Sequence, residues 1–207
     1  MADPHRIENL AQLRERMGEP SPVTAAKVEG KLDHFARDFI ARSPFLVLST
    51  ADAEGRMDAS PKGDAEGFVA VADDRTLLIP DRKGNKLLMG LENILANPQV
   101  GLIFLIPSCE ETLRVNGRAE ITTDPEVLSL LAARGQNALV AIRVTVDEAF
   151  FHCAKAFRRS ALWKPETWKP HKVSFGEIFA RKIDRASDKE IIDNVDAAIE
   201  QDYKENL

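Results

Sequence analysis

The sequence predicts an antiparallel β-barrel with attached helices, which is an α+β chain, and three observations support this fold class. Short apolar segments of strand length recur between residues 45 and 146, and most are separated by tight turns. The apolar pattern has a helical period before residue 42 and again after residue 174. The longest apolar run, residues 100–107, is far shorter than the roughly 18 residues of a membrane span.

Residues 1–42 are predicted to form an N-terminal helical extension. A first helix over residues 6–17 would place Ile7, Leu10, Leu13 and Met17 near one face. The Gly- and Pro-containing residues 18–22 would end it. A second helix is expected over residues 24–41, with a buried face made of Val28, Leu32, Phe35, Phe39 and Ile40.

Residues 43–165 are predicted to form the barrel domain. Alternating or continuous apolar residues bounded by turn residues indicate strands. The expected strands cover residues 45–50, 56–60, 68–72, 76–79, 100–106, 113–121 and 138–146. Two helices are expected to interrupt them, over residues 86–95 and from residue 123 to about residue 134.

Residues 166–207 are predicted to form a C-terminal helical extension packed on the barrel. Two capping boxes, Ser174-x-x-Glu177 and Ser187-x-x-Glu190, mark the expected helix starts. The second helix is acidic, and its charged residues are most simply a solvated face.

The composition excludes several classes of protein. The chain has 207 residues, a net charge of −5 and a sequence pI of about 5.5, which argues against general nucleic-acid binding. The N-terminal residues lack the apolar segment of a secretory signal, so we expect a cytoplasmic protein without a membrane anchor. Cys109 and Cys153 are the only cysteines, and we expect both to be unpaired thiols.

Basic residues recur at the ends of the predicted strands, beside Gly, Pro and Asn. Arg82, Lys83 and Lys86 occupy a Gly-Asn turn that leads into a predicted helix, and Arg56 and Lys62 belong to the preceding hairpin. Arg binds phosphate oxygens through a planar fork and Lys supplies a mobile charge. Backbone N–H groups at the helix start would add donors. This pattern indicates a phosphate-binding pocket; the alternative is a solvated basic turn.

The same region resembles the pyridoxamine 5'-phosphate oxidase-like flavoproteins over roughly residues 40–165. The order and spacing of several short motifs carry the resemblance. These motifs are Arg56…Ser60-Pro61-Lys62-Gly63, Gly67-Phe68-Val69, Arg82-Lys83-Gly84-Asn85-Lys86, Asn97-Pro98-Gln99-Val100 and Arg114-Val115-Asn116-Gly117-Arg118. The resemblance implies an antiparallel FMN-binding split barrel with N- and C-terminal helical extensions, and an FMN-dependent oxidoreductase. It also implies a homodimer in which both subunits line each flavin site.

The resemblance assigns roles to individual positions. Arg82 and Lys86 are implied as the phosphate anchors, with Arg56 approaching from the neighbouring hairpin. Asn85 is implied either as a helix cap or as a ligand contact. The remaining implied cofactor residues are Ser60, Pro61 and Lys62, on a strand end beside the flavin, and Thr112 and Arg114, on a strand that reaches it.

A second block is similar to a bacterial subgroup of this family. It reads His152-Cys153-x-Lys155-Ala156, followed by Arg159-Ser160-x-Leu162-Trp163. The similarity implies that Lys155 and Arg159 hold an anionic substrate or a flavin carbonyl, and that Trp163 stacks on the flavin ring. The alternative is an amphipathic helix with a packed Trp and solvated cations.

The chemistry of the pocket is predicted as hydride transfer between flavin N5 and a small-molecule substrate. Lys62, Arg114 and Arg159 are candidates for the cation that favours a reduced flavin. No general base is evident, and Asp64, Asp81 and Glu111 are interpreted as turn residues. The chain ends in an acidic helix and lacks the Arg-x-His segment of the true oxidases, so a non-enzymatic flavin or tetrapyrrole binder is the alternative function.

Other site types find little support. His152 and Cys153 lack a second pair at zinc spacing, so no metal site is expected. Ser60 is not in a nucleophile elbow, and neither a dinucleotide fingerprint nor a Walker motif occurs.

Overall fold

The computed structural model describes residue 3 and residues 5–205, and it confirms the antiparallel β-barrel with helices. The chain forms seven strands within this part. They are β1 (Phe45–Ala51), β2 (Met57–Gly63), β3 (Ala70–Val71), β4 (Thr76–Asp81), β5 (Gln99–Leu105), β6 (Thr112–Thr122) and β7 (Val140–His152). The α-helices are α1 (Leu10–Met17), α2 (Pro22–Ala25), α3 (His34–Arg42), α4 (Met89–Ala96), α5 (Pro125–Leu130), α6 (Lys155–Ser160), α7 (Phe175–Lys182) and α8 (Lys189–Glu205).

The strands form one sheet in the order β2-β1-β5-β6-β7-β4-β3, and all neighbours are antiparallel. The sheet curls so that its two ends approach each other: Lys62 on β2 forms an ion pair with Asp81 on β4. Between the described strands at these ends there is no ladder of backbone hydrogen bonds, so the barrel is open along this line. The opening between β2 and β4 is where the candidate site lies.

The barrel core consists of the inward side chains of the strands. Alternate residues along each strand face the interior, because the side-chain period of a strand is two. The largest fully buried side chains include Phe104, Leu46, Leu48, Leu102, Leu113 and Ile142. β6 and β7 pair over the greatest length, and Gly117 marks a bulge where a Cβ atom would lie only 2.1 Å from the carbonyl oxygen of Thr145.

The N-terminal extension differs from its prediction. The expected helix over residues 24–41 is divided into α2 and α3, because Glu29 leaves the helical path and exchanges backbone hydrogen bonds with Ala149 on β7. Asp33 then caps α3, its carboxylate accepting from the backbone N–H of Ala36. Phe39 is buried as predicted, whereas Phe35 is exposed.

Other boundaries differ as well: the helix expected over residues 6–17 begins only at Leu10, and the helix expected to reach about residue 134 ends at Leu130. The helix expected from residue 86 begins only at Met89, since Lys86 and Leu88 adopt left-handed backbone angles, with φ of 60° and 54°. β7 runs to His152 and not to residue 146, because it continues past the bulge to pair with the start of β6.

The C-terminal extension is helical, and α7 starts at the predicted capping box, where Ser174 accepts from the N–H of Glu177. The extensive contacts of α7 and α8 are with each other, so packing of this extension on the barrel stays a prediction. Among the described helices, none is both long and apolar enough to cross a membrane.

Candidate functional site

A cavity of about 680 Å³ lies at the open edge of the barrel. Its walls come from β2, the end of β4, the segment of residues 82–88, the start of α4 and the start of β7. Because these elements are distant in sequence, only the curled sheet brings them together. The volume falls within the range of about 300–1,000 Å³ that is usual for small-molecule and cofactor sites.

One wall is a polar face of β2. Asp58, Ser60 and Lys62 share this face because they alternate along the strand, in register with Thr50, Leu48 and Leu46 of β1. Pro61 also lines the cavity. The start of α4 lies against this wall, since a Cβ atom on Gly90 would lie 3.1 Å from Ser60 Oγ.

Asp58 is a cavity residue that the sequence reasoning missed. It is half-buried and its Oδ2 lies 3.4 Å from the position of a Cβ atom on Gly90. The alternation Asp58-x-Ser60-x-Lys62 is a usable signal for a polar strand face.

Acidic residues hold two of the predicted cations in place. Lys62 forms an ion pair with Asp81, and both side chains are mostly buried. The Nε of Arg82 donates to Asp64 Oδ2 at 2.6 Å, and its NH2 donates to the carbonyl oxygen of Leu131 at 3.1 Å. Asp81 is thus the last residue of β4 and not the turn residue that was predicted, whereas Asp64 lies in the β2–β3 connection as predicted and forms an ion pair there as well.

Asp64 is shared between two guanidinium groups. Arg134, in the segment between α5 and β7, donates to its Oδ1 at 2.7 Å, and the Asp64 side chain is only 5% exposed. Burial raises the pKa of this carboxyl, but the backbone N–H of Ala65 and the two guanidinium groups outweigh it. The pKa of Asp64 consequently lies below its ordinary value.

The segment of residues 82–88 forms the basic end of the cavity. Lys83, Asn85 and Lys86 all line it, and Lys86 is exposed. The Asn85 side chain accepts from the backbone N–H of Leu87 at 3.0 Å, so it stabilises the turn before the helix. Leu88 is the N-cap residue of α4, and no side chain of the described residues caps this end, which leaves the first N–H groups of the helix without that partner.

Apolar side chains also line the cavity. They come from β1, the β2–β3 connection, α4 and the start of β7, and they include Leu48, Phe68, Leu91, Leu139 and Val140. The cavity lining is therefore amphipathic, since it combines cations with aliphatic and aromatic surface.

Three predicted cofactor residues lie outside the lining of this cavity. Arg56 is at the β1–β2 turn, where it forms ion pairs with Asp52 at 2.5 Å and with Glu54 at 3.0 Å. Thr112 and Arg114 lie on the opposite side of β6 from the inward-facing Leu113. The structure thus separates the predicted residues into a cavity group, a residue in the β1–β2 turn and two residues on the outer side of the sheet.

The second sequence block is attached to the loop between β5 and β6. Trp163 donates from Nε1 to the carbonyl oxygen of Cys109 at 2.8 Å, and its ring stacks on Phe157 with centroids 5.8 Å apart. Arg158 pairs with Glu110 of the same loop at 2.7 Å. Lys155 and Arg159 lie on α6 in this block, and neither they nor Trp163 line the cavity of their own chain. Over residue 3 and residues 5–205, no group of three or more His, Cys, Asp or Glu residues is arranged to hold a metal ion.

Comparison with known proteins places this geometry in a family. A sequence-family model described as pyridoxamine 5'-phosphate oxidase matches residues 32–153, which include the whole cavity wall. No curated protein sequence matches the chain.

Solved structures show more distant likenesses. A HupZ variant from Group A Streptococcus is 19% identical with a TM-score of 0.49, covering 58% of this chain and 99% of that one. General Stress Protein 26 from Bacillus anthracis is 17% identical with a TM-score of 0.44, over 56% of this chain and 88% of the other. An FMN-binding protein from Syntrophomonas wolfei is 11% identical with a TM-score of 0.43, again over 56% and 88%. None of these likenesses is close enough to identify an activity.

Proposed function

This chain belongs to the pyridoxamine 5'-phosphate oxidase family, and we propose that it is a flavin-dependent oxidoreductase that binds FMN in the cavity at the open edge of its barrel. The amphipathic lining of that cavity is the observation that carries the proposal. FMN has a flat aromatic ring system at one end and a phosphate at the other, and the cavity offers both apolar surface and cations to such a ligand.

The phosphate would lie at the basic end. Lys86 is exposed there and has no carboxylate partner among the described residues, so its ammonium group is available to an anion. Arg82 lines the same end, and Asp64 fixes its orientation through Nε. The start of α4 lines the same cavity, and its first N–H groups would add donors that favour negative charge.

The ring would lie along β2, beside Ser60, Pro61 and Lys62. When bound, FMN would supply hydride transfer, and the protein would supply binding, orientation and electrostatics. Lys62 brings a positive charge to this wall, and its ion pair with Asp81 keeps the ammonium group over the cavity. A cation in that place favours the reduced, negatively charged flavin.

We also propose that the protein is a homodimer with shared flavin sites. Thr112, Arg114, Lys155, Arg159 and Trp163 lie outside the cavity of their own chain, so they reach a flavin only if a second copy presents the same residues. The outer side of the sheet suits such an interface, because exposed or half-buried apolar side chains alternate along β1 and β5 there. These side chains are Phe45, Val47, Ile103 and Leu105.

The purified protein tests the proposal. We expect it to retain or take up FMN, to be yellow, and to lose that colour without air when NADH or NADPH is added. Retention of FMN that none of the common reductants bleaches would leave a flavin-binding protein without oxidoreductase activity. Failure to bind any flavin would overturn the proposal as a whole.

A further inference from the structure

Arg114 is a half-buried arginine without an acidic partner. It lies on the outer side of β6, its Nε is buried, and that atom makes no hydrogen bond within the described part of the chain. Arg114 forms no ion pair with any of the described residues. Arginine is seldom buried without a counter-charge, because removing its guanidinium from water is costly unless an anion compensates.

His152 brings a second unsatisfied group to the same place. It ends β7, in register with Thr112, which is two residues from Arg114 on the neighbouring strand. Its Nδ1 is buried and also makes no hydrogen bond with the described residues. Burial lowers the pKa of His152, and the positive charges of Arg114 and Lys27 lower it further, so both cations are close to this imidazole.

Two of the acidic residues near this corner are engaged elsewhere. Glu110 pairs with Arg158, and Glu148 accepts from the side chain of Asn116. The thiol of Cys153 has a lowered pKa, first through the backbone N–H of Lys155 and also through nearby positive charge, so the local field at this corner favours an anion.

We propose that Arg114 and His152 form a subsite for the oxyanion group of a small ligand, a carboxylate or a phosphate ester. The planar fork of Arg114 would donate to two oxygens, and the protonated ring nitrogen of His152 would donate to the same group. The anion would satisfy both buried donors and compensate the charge of Arg114 at once. The inference deepens the proposed function and rests on it, because it assigns the substrate of the flavin to the class of organic anions.

NMR of the histidine side chains in the full-length protein measures anion binding at His152 directly. The sequence has four histidines, and His152→Gln identifies the resonance of interest. Sodium sulfate, as a stand-in for a phosphate ester, and sodium acetate are titrated at constant ionic strength set with sodium chloride. We expect a saturable shift of the His152 ring signal and a rise in its pKa, because a bound anion favours the protonated imidazole.

Variants of two arginines on β6 distinguish specific anion binding at Arg114 from a general effect of positive charge. Arg114→Gln should weaken anion binding about tenfold or more, the effect of losing a charge-assisted hydrogen bond. Arg114→Lys keeps the positive charge but lacks the planar fork, so its anion affinity should lie between those of wild type and Arg114→Gln. Arg118→Gln removes the same charge from the same side of β6 and should change the affinity less than about twofold, the scale of a surface charge effect.

Three results would overturn the inference. One is a shift that does not saturate. Another is an affinity that Arg114→Gln and Arg118→Gln reduce equally. The third is loss of sulfate binding on addition of FMN but not of riboflavin, which would assign the subsite to the phosphate of the cofactor and not to a substrate.

The inference and the proposed function fail separately. Protein that binds no flavin but shows the saturable, Arg114-dependent anion shift refutes the flavin proposal and keeps the subsite. Protein that binds FMN but shows no such shift keeps the flavin proposal and refutes the subsite.

Discussion

Replacement of Lys86 by Gln is the sharpest test of where the ligand phosphate lies. The change removes one positive charge from the basic end of the cavity and keeps an unbranched side chain at a position with φ of 60°. Neither a hydrogen bond nor an ion pair of the described residues depends on Lys86, so the fold should be preserved.

The expected loss of FMN binding free energy in Lys86→Gln follows from the exposure of the Lys86 side chain. A hydrogen bond to a charged group contributes about 1.5–3 kcal/mol, and solvent screening at an exposed lysine brings the value toward about 1–2 kcal/mol. This corresponds to a Kd for FMN that rises about 5- to 30-fold. Riboflavin has no phosphate, and its Kd should change less than about twofold, within the effect of a surface charge.

The assay is fluorescence titration of the apoprotein with FMN and with riboflavin. Lys31→Gln is the matched control, since it removes the same charge from an exposed lysine outside the cavity lining. The difference between wild type and Lys86→Gln should shrink in 1 M salt, where the Debye length is about 3 Å. An equal loss for FMN and riboflavin, or an equal loss in Lys31→Gln, would refute the phosphate assignment.

Three other variants test the structure around the site. Asp64→Asn should lower the free energy of unfolding by about 1–3 kcal/mol in urea titration, because two guanidinium groups lose their shared carboxylate. Since the pKa of Asp64 is lowered in the folded protein, this stabilisation is present above about pH 4, its ordinary pKa, and is lost as the pH falls through the folded-state pKa. The stabilities of wild type and Asp64→Asn should therefore converge in acid. Gly176→Ala should separate α7 from α8, since its Cβ atom would lie 2.2 Å from the carbonyl oxygen of Ile192, whereas Gly84→Ala meets no atom within 4 Å and should leave the circular dichroism and Tm unchanged. Trp163→Phe should lower the free energy of unfolding by about 1 kcal/mol, because its hydrogen bond to the carbonyl oxygen of Cys109 is lost; an unchanged free energy of unfolding would contradict this placement of Trp163.

Much of the fold was predictable because its signals are local. Strand alternation, turn residues and capping boxes depend on neighbours a few positions away, which is why the seven strands and the start of α7 agree with the prediction. The helix over residues 24–41 failed for the opposite reason. Its interruption comes from backbone hydrogen bonds between Glu29 and Ala149, a partner that no local pattern indicates.

The candidate site shows the same division. Ser60, Pro61, Lys62, Arg82, Asn85 and Lys86 were predicted together, and all of them line one cavity. Their role in binding FMN stays a prediction, as does the role of Arg56, Thr112 and Arg114, which lie elsewhere. The ion pairs of Asp64 and Asp81 were not predicted, because a carboxylate in a turn and a carboxylate in an ion pair are alike in sequence.

The sequence by itself determined the class of fold and the presence of a basic, phosphate-compatible segment, since both depend on periodicity and residue type along a short stretch. Only the tertiary structure decided which cations share a cavity, which are neutralised and which are left without a partner. The physical reason is distance along the chain: Asp64 and Arg134 are 70 residues apart, and their contact exists only because the curled sheet brings its two open ends together.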